Sequence, residues 1–557
     1  MQKKIIIYQV LPRLFGNTIE NQVFGGTREQ NGVGKFNDFS DKALYEIAAL
    51  GVTHVWYTGV MAHATSDKFP EVVKGRAGSP YAITDYYDVA ADLAVNPQRR
   101  MDEFEALVHR THKAGMQALI DFVPNHVART YRSVAKPKGI RDFGEDDDTT
   151  KHFSPENDFY YLDGDFVVPA GIQPFGMPFD PAQIRYTERP ARATGNDCFT
   201  PYPSVFDWYE TVKLNYGVDY RGGGVQYFSP IPGVWKKMLD ILLFWAEKKI
   251  DGFRCDMAEM VPLAFWTWAL PQVKTRYPEI IFIAETYHPE EYYNYIFNGK
   301  FDYLYDKVGL YDTLRAVMCH GQPASTITNC WQRVEGIGDN MLRFVENHDE
   351  QRVASPSFAG DARKALPAML VSAAMNQGPV MIYAGQEVGE KAEGATGFSG
   401  DDGRTSIFDY TVVPALRQWN NNGRFDGQLL TDAQKQLRAD YKQLLNFVGA
   451  SNTVAKGAFY DLMWANTGRP FIDRCYLFLR YTNTETLLFV CYFDAPDAEL
   501  HIHIPAHAFE MMYLPSGKGY ALSPLLHNTP PVALSADNEL TMTVKDFAYE
   551  IYRFSEK

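Results

Sequence analysis

Short apolar runs alternate along this chain with segments whose apolar residues return every three or four positions. Ile5–Leu11 is the first run, and it reads as a buried strand. A helix over Asp41–Leu50 stops at Gly51, and Val52–Tyr57 forms the second strand. Met101–Ala114 gathers Phe104, Leu107 and Val108 on one face, ends at Gly115, and leads into strand Gln117–Val123. Trp235, Met238, Leu239, Leu242, Leu243 and Ala246 keep an i, i+3, i+4 rhythm, and strand Ile250–Cys255 follows that helix. Ile280–Ala284, Phe301–Tyr305, Met341–Val345 and Pro379–Tyr383 complete a set of eight strands. Strands alternating with helices predict parallel βα units, and eight of them predict a closed TIM (β/α)8 barrel.

Two stretches leave this rhythm. Residues 127–216 are rich in Pro, Gly, Asp and aromatics and show no helical period. They are too long for a connecting loop, so they predict an irregular domain inserted after the third strand. Beyond residue 450, Cys475–Tyr481, Leu487–Phe493, Leu500–Ile504 and Phe547–Phe554 are β-rich segments separated by turn residues, as in an antiparallel β-sandwich. The predicted division is a barrel over 1–126 and 217–450, an inserted domain over 127–216, and a sandwich over 451–557.

At 557 residues the chain exceeds a single core, in keeping with that division. Its net charge of −14 opposes a nucleic-acid ligand, because phosphate binding needs clustered Lys and Arg. No apolar run reaches the ~18 residues a membrane helix needs, so no membrane partner is expected. Cys198, Cys255, Cys319, Cys330, Cys475 and Cys491 lack metal or disulfide spacing and read as free thiols in a reducing compartment. Met1–Lys4 followed by an apolar run imitates a leader, but no small-residue cleavage site follows and the run is needed as a strand. A cytoplasmic enzyme is the expectation.

The chemistry sits at strand ends. Asp256 closes Ile250–Asp256, Glu285 closes Ile280–Glu285, and Asp349 closes Phe344–Asp349. A parallel barrel builds its reaction face there. Three acids with an Arg and a His on one rim point to carboxylate chemistry, with glycoside hydrolysis as the leading candidate.

Four of these strand-end motifs, Asp121–His126, Gly252–Asp256, Ala284-Glu285 and Phe344–Asp349, occur in the order found in glycoside hydrolase family 13, the α-amylase family, which the chain resembles throughout. Val212–Asn215 resembles the family's further motif near the end of its inserted domain, and Gly51–Val60 and Gly378–Glu387 resemble its second and eighth strands. The resemblance implies Asp256 as nucleophile, kept ionised by Arg254, Glu285 as general acid with a proton held by neighbouring carboxylates, and Asp349 as the acid that grips sugar hydroxyls. It implies His126 and His348 as hydrogen-bond donors to the same sugar, Tyr81 as its stacking platform and Asp85 as a supporting acid. Asp402 and Arg404, after the eighth strand, take the place where relatives bind the next sugar. Asn125 matches a calcium ligand, with Asp158, Asp163, Asp165 or Asp180 as candidate carboxylates; the acidic run Glu145–Asp148 is a solvated loop or a second calcium candidate.

Two departures stand out. Pro80 replaces the glycine usual before Tyr81, and Glu259-Met260 stands where many α-amylases carry Lys-His toward the leaving group. The expected activity is retaining cleavage of α-1,4-glucosidic bonds in starch-type or maltooligosaccharide substrates, with no organic cofactor. Transglycosylation or isomerisation on the same first step stays open. A non-catalytic carbohydrate-binding homologue would lack one of the three acids, and no Gly-rich loop supports a phosphate-binding barrel.

Overall fold

A computed structural model describes residues 4–20, 22–172, 185–394 and 400–556. Eight parallel strands form the first sheet: β1 Ile6–Val10, β2 His54–Tyr57, β3 Gln117–Phe122, β4 Gly252–Cys255, β5 Ile281–Ala284, β6 Tyr303–Tyr305, β7 Met341–Leu342 and β8 Val380–Tyr383. They are ordered β7-β6-β5-β4-β3-β2-β1-β8. The ring closes just past β7, where Arg343 bridges to Val380 and the Met381 amide donates to the Arg343 carbonyl at 2.9 Å. The expected barrel is therefore present, with each strand shorter at its ends than its apolar run.

Alternation along the strands divides two cores. Ile7, Trp56, Leu119, Ile283, Tyr305 and Met381 point inward and fill the barrel. Ile6, Tyr8, Val55, Ile120 and Phe282 face the surrounding helices, among them Arg100–Lys113 and Gly233–Glu247. Cys255 belongs to this outer layer, away from any reacting face.

Within 127–216 the described residues form only short antiparallel pairs. His126–Ala128 pairs with Thr211–Lys213, and Tyr161–Leu162 pairs with Ala191–Arg192. The first pair returns the chain to the barrel rim directly beside the end of β3. In the acidic run, Asp146 pairs with Arg141, Asp148 with Lys151, and Asp147 accepts the amides of Asp158 and Phe159. Those carboxylates are consumed by local protein donors.

The C-terminal strands are β9 Ala458–Asp461, β10 Cys475–Tyr481, β11 Thr486–Tyr492, β12 Ala498–His503, β13 Tyr520–Pro524, β14 Val532–Leu534, β15 Glu539–Val544 and β16 Tyr549–Glu556. All join one antiparallel hydrogen-bonded order, β9-β10-β11-β16-β13-β14-β15-β12. β10 and β11 are buried at every residue, whereas β12 and β15 alternate buried and exposed. Helix Ala365–Ala374 is buried all round because it lies between the barrel and this sheet. Arg480 ties the two together, donating to the carbonyls of Ala374, Val454 and Gly457.

Candidate active site

Asp256 and Glu285 each follow the last residue of a barrel strand, and the ladder carries on into them. The Asp256 amide donates to the Phe122 carbonyl at 2.8 Å, and the Glu285 amide to the Cys255 carbonyl at 3.1 Å. Arg254, two residues before Asp256 on the same face of β4, lies between the two acids. Its Nη1 donates to Asp256 Oδ1 at 2.7 Å, and its Nη2 pairs with Glu285 Oε1 at 2.7 Å. Met257 is left-handed (φ 44°), a conformation costly for a residue with a Cβ. That turn directs the Met257 amide onto Glu285 Oε2 at 2.7 Å. The Tyr287 hydroxyl donates to Glu285 Oε1 at 2.7 Å.

Asp349 completes the group. It lines the same cavity of about 220 Å3 as Asp256, Glu285, Tyr81, His126 and Tyr287. Burial raises the pKa of all three acids. For Asp256 the opposing influence is Arg254; for Glu285, Arg254 again opposes and the Asp256 charge adds to the rise. Asp349 is pushed up to about 8 by burial and then by Glu285, although 33% of its side-chain surface remains open to the cavity. One guanidinium thus serves three carboxyls, and Asp349 is left holding a proton near neutrality within the coupled group. Burial, more than neighbouring charge, supplies the rise expected for Glu285.

Several predicted contacts take other roles. Arg254 is 1% exposed, packed among the rings of Trp56, Tyr81 and Tyr305, so it holds carboxyls and does not meet a sugar. His348 is likewise enclosed: Gln9 Nε2 lies 2.7 Å from its Nδ1, and its Nε2 faces the Tyr81 hydroxyl and Asp349. It braces Tyr81, whose ring does line the cavity. Asp85 is buried and spends both oxygens on Ser133 and on the amides of Tyr87, Val134 and Ala135. It anchors the start of the inserted segment and does not line the cavity. Asp402 accepts the Arg404 amide at 3.0 Å, and neither residue lines the cavity. His126 does, its ring tilted against that of Trp208 with centroids 5.2 Å apart. Burial lowers its pKa to about 3, so it meets a ligand as neutral imidazole.

The residues around Asn125 do not fit calcium. Asn125 Oδ1, the atom a metal would use, accepts from Lys213 Nζ at 2.8 Å, and Lys213 pairs with Asp197 at 2.6 Å. An ammonium therefore fills the cationic role. Asp158 is engaged by Lys237, Asp165 pairs with Arg189, and Asp180 lies outside the described residues. No group of three or more His, Cys, Asp or Glu side chains suited to a metal, Asp163 included, occurs among the described residues.

Gln9, Lys74, Trp208, Glu210 and Tyr287 escaped the sequence reading. Tyr287 alone carried a local signal, being two residues beyond Glu285.

The structure thus combines a closed parallel barrel, three carboxyls gathered at the C-terminal ends of its strands, an excursion after β3 and an antiparallel C-terminal sheet. Residues 9–406 match the family model described as α-amylase, catalytic domain, and the chain belongs to the α-amylase family. It is 25% identical over 391 residues to α-amylase MalA of Haloarcula japonica, covering 69% of this chain and 44% of that protein. It is 21% identical over 403 residues to neopullulanase 2 of Thermoactinomyces vulgaris, covering 70% and 57%. The matched region thus spans well under two thirds of either relative. In fold it is similar to an Anoxybacillus α-amylase (TM-score 0.64, 20% identity, 100% of this chain and 98% of that one) and to a cyclomaltodextrinase (TM-score 0.66, 18% identity, 99% and 78%).

Proposed function

We propose that the chain is a retaining glycoside hydrolase that cleaves α-1,4-glucosidic bonds in starch-type or maltooligosaccharide substrates. The observation that carries this reading is the shared guanidinium of Arg254, 2.7 Å from an oxygen of Asp256 and 2.7 Å from one of Glu285. A single rigid fork brings the two carboxyls together, which favours the close pair of a retaining enzyme, about 5–5.5 Å apart, over the about 6.5–9.5 Å that an inverting enzyme needs to admit a water. In the first step a carboxylate oxygen of Asp256 bonds to the anomeric carbon as Glu285 gives its proton to the departing glycosidic oxygen. In the second, Glu285 takes a proton from water, which displaces Asp256 and restores the starting configuration. Asp349 and neutral His126 face the bound sugar, and Tyr81 offers it an aromatic surface.

A groove of about 610 Å3, lined by Val73, Gly75 and Tyr209 next in sequence to the cavity's Lys74 and Trp208, supports a substrate longer than one sugar. Six unpaired cysteines support a reducing, cytoplasmic setting. The test is chromatography of products from maltooligosaccharides, starch, sucrose and trehalose, with proton NMR of the first anomer released. α-Anomers from α-1,4 substrates are expected. Early β-anomers, or turnover confined to sucrose or trehalose, would refute the reading, and longer transfer products would assign the enzyme to transglycosylation.

A further inference from the structure

Trp208 lines the same cavity as the three acids and is half-buried. Its backbone is engaged on both sides: the amide donates to Asn196 Oδ1 at 3.2 Å, and the carbonyl accepts the amide and the hydroxyl of Thr211 at 2.9 and 2.8 Å. What Trp208 offers the cavity is therefore its side chain. Asn196 is itself tied to Thr194 and Asp207, so the indole stands on a fixed base before any ligand arrives. Its ring meets the imidazole of His126, another lining residue, with centroids 5.2 Å apart, a step comparable with the width of a pyranose ring. The two rings make one stretch of wall, and His126 is its inner end, close enough to Glu285 to feel that carboxyl's charge. Tyr209, the next residue, lines the groove of about 610 Å3, so Trp208 stands where cavity gives way to groove. Among the described residues no group accepts a hydrogen bond from the indole Nε1, and that nitrogen is not one of the buried polar atoms left without a partner, so it is accessible. A half-exposed indole with an unused N–H matches a sugar ring, which has an apolar C–H face and a rim of hydroxyls.

We propose that Trp208 is a specificity-determining residue that stacks on the glucose unit next to the one held at the acids, its Nε1 donating to a hydroxyl of that unit. The proposal rests on the glucan-binding reading above and deepens it, because such a contact selects chains over single sugars. Stacking takes the indole face and the sugar's C–H face out of water together. The fixed base spares the entropy of ordering the side chain on binding.

Binding is the measurement, made by calorimetry on Glu285→Gln protein so that no turnover intervenes. The ligands are maltotriose and 1-deoxynojirimycin, an imino sugar the size of a single unit whose cation directs it to the acids. Trp208→Ala, added to that background, should weaken maltotriose about 10- to 100-fold and leave the imino sugar unchanged. Trp208→Phe keeps an aromatic face and should recover most of the loss. It should also abolish the shift in tryptophan fluorescence that maltotriose causes in the parent, a contact signal that a merely structural role would not move. Equal maltotriose affinity with and without Trp208→Ala would overturn the proposal, and so would a loss of the same size on both ligands or a fluorescence shift that survives Trp208→Phe in full. A parent protein that binds neither ligand would refute the glucan-binding reading itself. Protein that binds maltotriose through Trp208 while the wild type fails to hydrolyse any glucan would refute the hydrolase reading alone.

Discussion

Nζ of Lys213 lies 2.8 Å from Oδ1 of Asn125, across the junction between the end of β3 and the returning strand of the inserted segment. A covalently attached cation cannot be chelated. Dialysis against EDTA should leave activity and Tm unchanged, and added calcium should raise neither. Lys213→Met should cost about 1–3 kcal/mol by stranding the buried Asn125 oxygen. A Tm that falls on chelation and returns with calcium would contradict this.

Asp256→Asn and Glu285→Gln should each reduce turnover on α-glucans by several powers of ten with little change in circular dichroism. One removes the attacking carboxylate and the other the proton donor. Wild-type rates in either variant would disprove the assigned roles.

Tyr287→Phe should move the alkaline limb of the kcat/KM profile to higher pH. The Tyr287 hydroxyl stabilises the charged form of Glu285 and so lowers its pKa. Without it Glu285 keeps its proton further into the alkaline range. A limb that stays in place, or moves down, would show that Tyr287 has no such hold.

Asp349→Asn should stabilise the protein increasingly as pH rises. Folded Asp349 retains its proton to about 8, whereas the unfolded carboxyl releases it near ~4. Between those values the folded state holds the extra proton, so wild-type stability falls with rising pH and Asn escapes that fall. Thermal scans should find the two proteins alike near pH ~4 and furthest apart at ~8 and above. A constant offset across that window would tell against it.

Removing residues after 452 should give aggregated protein. Helix Ala365–Ala374 would lose its cover, and Arg480 would no longer reach Ala374. A soluble, monodisperse barrel that had lost only polysaccharide affinity would show instead that the sheet is a binding module.

The three acids were legible because each ends an apolar run, and in a parallel barrel a strand end has only one place to go. β7 was harder, as its run of five delivers two strand residues before the chain bends to close the ring. Asp85 misled for a tertiary reason: Tyr81 is close in sequence, but Ser133 and its neighbours claim the carboxylate. Lys74 and Glu210 are 136 positions apart and meet only because the inserted segment folds back on the rim. Among the C-terminal strands, β15 turns polar residues outward, β13 ends in Ser523-Pro524, and β14 is only three residues long, which hid them among turn-like sequence.

The seam between β1 and β8 also sets a timetable. Ile6 pairs with Val380, 374 residues later in the chain. At ribosomal speeds of ~5–20 residues per second, that partner emerges roughly 20–75 s after β1. Throughout synthesis one edge of the first strand waits without its neighbour, a template for wrong pairing that the cell must keep covered. The step that completes the barrel is thus among the last the nascent chain can take, and mistakes made before it fall to chaperones.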